Sequence, residues 1–233
     1  MKNMADYIAM LLISIFLLHS NILLGEDTIP LPDADILGTV CYPDNKERII
    51  TPDAVLWLGK MVDGETWSRA TEEDARAMFW AIIQRSHLRK IHFKNWRQFI
   101  QSYSQPINEK WLKTGDRCKE YYKSDFSGKI NPNCSIKKIK RRAKNIDKKW
   151  NDLDLSTKRW VIDLAKGNQT NHIPGVIGWF APKLWKKREK NGENREENMV
   201  YSTEIDGNIY FKKKKTENWT IETVRVVPAG ESC

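Results

Sequence analysis

From residue 51 onward apolar positions recur at steps of three and four. In TPDAVLWLGKMV, Val55, Leu58, Met61 and Val62 share one side of a helix. Thr51 suits the N-cap, Pro52 the first helical position and Asp53 the positive end of the dipole. Gly64 is the expected stop. A second helix starts at Thr71, with Asp74 completing an approximate capping box, and runs through ARAMFWAIIQRS. There Ala77, Phe79, Trp80, Ile82 and Ile83 wrap most of the circumference, which predicts a core helix. NWRQFIQSY reads as a shorter helix before the turn sequence SQPIN. Ile136, Ile139, Ala143, Ile146 and Trp150 space an amphipathic helix with a basic outer face. DLSTKRWVIDLAKG reads as another helix, capped by Asp154 or Ser156 and closed by Gly167.

Beyond Gly167 the period shortens. GVIGWFAP, NMVYSTEI, GNIYFKKKK and TIETVRVV are β-prone runs separated by Gly, Asn and Pro. Between them KKREKNGENREEN reads as a surface loop, partly disordered. Residues 26–50 hold Pro30, Pro32 and Pro43 and little periodicity, so they are expected to be an irregular lead-in. Residues 7–18 form an apolar run too short to span a bilayer, which predicts a signal peptide over residues 1–25; an N-terminal anchor extending through Leu24 is the alternative. No internal repeat is visible. Residues 51–233 are enough for one domain with its own core, expected to be α+β and mainly helical, with a small strand-rich C-terminal part.

Export changes the reading of the cysteines. In an oxidising compartment Cys41, Cys118, Cys134 and Cys233 are expected to pair, and three connectivities exist. Cys118 with Cys134 closes the turn-rich CKEYYKSDFSGKINPNC, a loop closure of about 3 kcal/mol. Cys41 with Cys233 follows by elimination. The cysteines lack C-x-x-C spacing and His87, His92 and His172 form no H-E-x-x-H, so neither a metal nor another cofactor is expected.

The net charge of +9 is concentrated in residues 137–149, 186–190 and 212–215. On a helix such a run is first a solvated face. A nucleic-acid partner conflicts with export, whereas an anionic cell-wall or membrane surface suits it.

Glu65 lies between the first two helices, with Met61, Val62 and Trp67 as sequence neighbours and the Thr66 hydroxyl beside it. If these side chains line its pocket, desolvation raises its proton affinity, as a general acid for glycosidic cleavage requires. Position alone favours an acid facing water.

The blocks LGKMVDGETW, ARAMFWAIIQRS, FIQSYSQPIN, GVIGWFAP and IDGNIYFKK occur in an order that resembles the SleB-type cell-wall hydrolases of the lysozyme superfamily, over about residues 51–215. The Glu-Thr pair is also similar to the Glu-Ser/Thr of lytic transglycosylases and goose-type lysozymes. The resemblance implies a lysozyme-like domain acting as a monomer on peptidoglycan, on the N-acetylmuramic acid–N-acetylglucosamine backbone. It implies Glu65 as catalytic acid, with Thr66 beside it. Gln84 and Arg85 would support the cleft from the second helix, Ser104 and Gln105 would line the saccharide groove, and Asn208 and Tyr210 would face the acid across it. Two departures stand out. TWSRATEED follows the Glu where the family often has a Gly-rich segment, and GNIYF lacks the His of the family's late Gly-Asn-His block.

Hydrolysis needs a second carboxylate, and Asp63, Glu72, Glu73, Asp74, Glu204 and Asp206 are candidates that the sequence does not separate. Lytic transglycosylation, which the resemblance implies, needs one Glu alone. Trp57, Trp67, Trp80, Trp96, Trp111, Trp179 and Trp185 are available as a sugar platform. Trp57 and Trp80, at helical spacing, read as core, and Tyr103 and Trp179, beside turn or strand motifs, are the expected groove residues. A non-catalytic wall-binding protein is the reading from a different class.

Overall fold

The computed structural model describes residues 28–66, 71–89, 95–122 and 131–233. The predicted signal segment, Trp67 and His92 lie outside them. Among the described residues there are seven α-helices: α1 (Pro52–Thr66), α2 (Glu72–Arg89), α3 (Trp96–Tyr103), α4 (Ile136–Asp147), α5 (Leu155–Ala165), α6 (Pro182–Lys190) and α7 (Glu193–Glu196). Six strands accompany them: β1 (Gly38–Cys41), β2 (Glu47–Ile50), β3 (Val176–Phe180), β4 (Met199–Ile205), β5 (Asn208–Lys213) and β6 (Arg225–Pro228). The strands form two antiparallel sheets, β2-β1-β6 and β3-β5-β4. The fold is α+β and mainly helical.

Helix α2 is the axis of the core. Ala75, Ala77, Met78, Phe79, Trp80, Ala81, Ile82 and Ile83 are all buried, because α5 and β3 pack against it. Helix α1 buries Val55, Leu58, Met61 and Val62 against α3 and α5. Thr51 caps it through a hydrogen bond from the Ala54 amide to its hydroxyl. Trp57 and Trp80 are core residues, as their spacing predicts. Gly167 closes α5 at φ +73°, where a side chain would be strained.

Several local expectations change. Residues 26–50 are not irregular throughout, because β1 and β2 form a hairpin in which Tyr42 N–H bonds Lys46 O at 3.0 Å and Asn45 turns at φ 55°. Each strand has four residues and β1's other partner is β6, from the far end of the chain, so local alternation was too short to show. TIETVRVV therefore leaves the C-terminal strands and joins the N-terminal hairpin. The charged KKREKNGENREEN segment is ordered as α6 and α7, opened by Pro182 and anchored by the buried Trp185 of α6 and Asn194 of α7. Arg188 ties the two by bonding Glu193 and Glu197.

Helix α4 keeps part of its predicted face, with Ile146 packed on the core and Trp150 buried just beyond its end. Ile136 is 65% exposed, while the residues α4 buries are Arg142 and Asn145. Both predicted disulfides form, Cys118–Cys134 and Cys41–Cys233. Among the described residues no helix is long and apolar enough to cross a membrane.

Candidate functional site

Glu65 sits on the last turn of α1, not beyond it. Gly64 does not stop the helix. It lets the turn after α3 press onto it, since a Cβ at Gly64 would lie 2.9 Å from Pro106 Cβ and 3.3 Å from Asn145 Nδ2. That close approach brings in Ser104, the fully buried C-cap of α3, whose Oγ donates to Glu65 Oε1 at 2.8 Å. From β3, the Trp179 side chain also hydrogen-bonds the Glu65 carboxylate. Three elements separated in sequence thus converge on one carboxyl group.

The proton affinity of Glu65 is pushed up to about 7 from its ordinary 4.5, chiefly by loss of water. The hydrogen bonds from Ser104 and Trp179 and the positive charge of Arg141 act against that rise, and the charge of Asp74 adds to it. At neutral pH the group is poised between acid and base.

Glu65 opens onto a cavity of about 250 Å³ lined by Gln105, Pro106, Asn133, Lys138, Arg141, Arg142 and Asn145. This explains the polar buried face of α4, which forms the cavity wall. Arg142 is scaffold there: its Nε donates to Gln105 O at 2.8 Å, and its Nη1 donates to Trp111 O at 2.6 Å and Asn133 O at 3.3 Å. Among the described residues Glu65 is the one carboxylate of the lining.

The other predicted residues separate into those at the acid and those behind it. Ser104 and Trp179 touch it, and Gln105 lines the cavity. Thr66 does not assist, because its Oγ1 donates back to Val62 O at 2.7 Å. Tyr103 packs on Phe99, ring centroids 4.9 Å apart, with the Arg85 guanidinium 4.1 Å over its face. Gln84 does not reach the groove. It is fully buried, donates to Ile173 O and Val176 O at 3.1 and 2.9 Å, and accepts from the Gly175 amide, so it anchors the segment that launches β3 and Trp179.

Asn208 and Tyr210 do not present themselves to the cavity either. At alternate positions on β5 they grip Asp74: Tyr210 Oη donates to its Oδ1 at 2.5 Å, and Asn208 Nδ2 approaches both carboxylate oxygens at 3.2–3.3 Å. Tyr210 is wholly buried and pairs across the sheet with Trp179. Burial pushes the Asp74 carboxyl up, with the Tyr210 and Asn208 bonds opposing. Of the six candidate second acids, Asp74 is the one whose charge bears on Glu65. Glu72, Glu73, Glu204 and Asp206 are exposed, and Asp63 is ion-paired with Lys148. The sequence signal for Asp74 was its capping position. Its backbone N–H does bond Thr71 Oγ1 at 3.2 Å, while its side chain is turned away to β5.

Among the described residues, no cluster of three or more His, Cys, Asp or Glu side chains could hold a metal ion. Comparison of the chain with protein-family models, curated proteins and solved structures gives no match.

Proposed function

We propose that this protein is an exported peptidoglycan-cleaving glycosidase that cuts the N-acetylmuramic acid–N-acetylglucosamine backbone by lytic transglycosylation, with Glu65 as general acid and then base. One observation carries the reading: a desolvated carboxyl with a proton affinity near 7 opens onto a polar cavity in which, among the described residues, no second carboxylate lies. The ordered sequence blocks that resemble SleB-type enzymes, and two disulfides suited to an oxidising compartment, agree with it.

In this mechanism protonated Glu65 gives its proton to the glycosidic oxygen as the C1–O bond breaks. The Ser104 and Trp179 hydrogen bonds hold the carboxylate that results. Glu65 then takes the proton of the sugar's own C6 hydroxyl while that oxygen bonds C1, closing a 1,6-anhydro ring and regenerating the acid. No water and no second acid are consumed.

Hydrolysis is the second reading, favoured only by Asp74. A second carboxylate must stand about 5–9.5 Å from the first and touch substrate or water. The carboxyl of Asp74 is 2% exposed as a residue and is held by Tyr210 and Asn208, which suits a charge felt by Glu65 better than a group that attacks.

Digestion of purified sacculi followed by mass spectrometry tests the proposal. Anhydro-muramyl ends are expected, and Glu65→Gln should abolish their release while binding to sacculi persists. Reducing ends would transfer the assignment to hydrolysis. Release of no fragments by the wild type would leave a protein that only binds the wall.

A further inference from the structure

The cavity carries more positive charge than the chemistry of Glu65 uses. Lys138 and Arg141 stand three residues apart on α4, hence on one helix face, and both line the cavity with Glu65. Arg142 beside them is committed to backbone carbonyls, so it serves as frame. Gln105, Asn133 and Asn145 contribute side-chain amides to the same lining. A cation next to a general acid works against it, because the Arg141 charge favours the ionised form of Glu65. A further carboxylate bound at Arg141 would offset that opposition.

We propose that the Lys138–Arg141 wall is an anion subsite that takes a carboxylate carried by the glycan, so that the preferred substrate bears free carboxylates beside the scissile bond. This rests on the glycosidase reading above. A guanidinium matches a carboxylate through two parallel N–H bonds, and the lysine adds a point charge without demanding geometry. The bound carboxylate neutralises Arg141 and adds negative potential at the acid. Glu65 then holds its proton more tightly in the complex than in the free protein, so a correctly charged substrate loads its own acid. Two chemical sources supply such a group: the lactyl ether of muramic acid once its peptide is removed, and the stem peptide itself.

Binding is measured with full-length Glu65→Gln and four ligands: glycan strands stripped of stem peptides, strands that keep them, and each of these with its carboxyls converted to methylamides. Amidation should weaken binding roughly tenfold or more, the worth of a charge-assisted contact. Adding salt should erode the difference. The preference should collapse with Arg141→Gln and shrink with Lys138→Gln, a substitution at an exposed position that leaves the fold intact. If stripped strands are preferred, the lactyl carboxylate fills the subsite; if stem-bearing strands are preferred and amidation removes that preference, the peptide does. In the wild type, the alkaline limb of kcat should lie above that of kcat/KM for carboxylate-bearing strands and coincide with it for amidated ones. Equal affinity for charged and amidated strands, or equal weakening of both by Arg141→Gln, overturns the subsite. Wild type that cuts both equally well also overturns it and leaves the glycosidase standing. Carboxylate-dependent binding without release of any ends does the reverse.

Discussion

Glu65 loses water to packing and gains hydrogen bonds from Ser104 and Trp179, and the two effects oppose each other. Desolvation wins, so the folded protein holds this proton more tightly than the unfolded chain. The stabilising share of that proton is fully present below about pH 4.5 and is lost as pH rises through about 7. Urea melts of wild type and Glu65→Gln should therefore diverge with pH. The variant gains on the wild type by on the order of 2–3 kcal/mol between pH 5 and pH 8. As a general acid Glu65 works protonated, so kcat/KM should fall as pH rises through about 7. Ser104→Ala removes a bond that favours the carboxylate. It should move that alkaline limb upward and lower kcat about tenfold, as read from a pH–rate profile. The sequence marked Glu65, Ser104 and Trp179. It did not mark the grip of Asn208 and Tyr210 on Asp74, because a strand residue's depth depends on what covers the strand.

Helix α1 and the turn 104–107 position the acid, and their closeness is set by a missing side chain. In a free helix Gly64→Ala would stabilise by about 1 kcal/mol. Here the added Cβ meets Pro106 at 2.9 Å, on a turn tied down by Arg142 and Asn145. Overpacking should win, with a loss of about 1–3 kcal/mol in urea denaturation and a fall in cleavage as the turn is displaced. Helix α2 acts through Gln84. Gln84→Leu strands the Gly175 amide and takes one donor from the carbonyls of Ile173 and Val176, of which Ile173 keeps its bond from the Val176 N–H, so it should cost about 1–3 kcal/mol. The helices were legible because each buries an apolar face with the helical period. Strands β1 and β2, the charged helices α6 and α7 and the polar inner face of α4 were not, since distant partners or one or two buried side chains hold them.

Across the whole molecule the two disulfides do different work. Cys41–Cys233 links residues 192 apart and ties the last residue to β1, and no residue of the β2-β1-β6 sheet lines the Glu65 cavity. Cys41→Ser with Cys233→Ser should remove up to roughly 5 kcal/mol by the loop-closure estimate, with cleavage per folded molecule unchanged. Cys118–Cys134 spans 16 residues and adjoins the cavity wall, because Arg142 bonds the carbonyls of Trp111 and Asn133 on its two sides. Its replacement should cost less, about 3 kcal/mol, yet reduce cleavage more. Denaturant melts and sacculus digestion, measured together, separate the pair.

The sequence by itself determined the helical framework, the pairing of Cys118 with Cys134, and the placing of an acid at the end of an apolar helix. Each of these rests on near neighbours: period, caps and a short loop. Only the tertiary structure decided that the acid is half-buried and loses much of its water, that a basic helix turns its polar side toward it, and that Asp74 is withdrawn into a bond with Tyr210. Desolvation and charge depend on what approaches from far along the chain, and local periodicity does not record that approach.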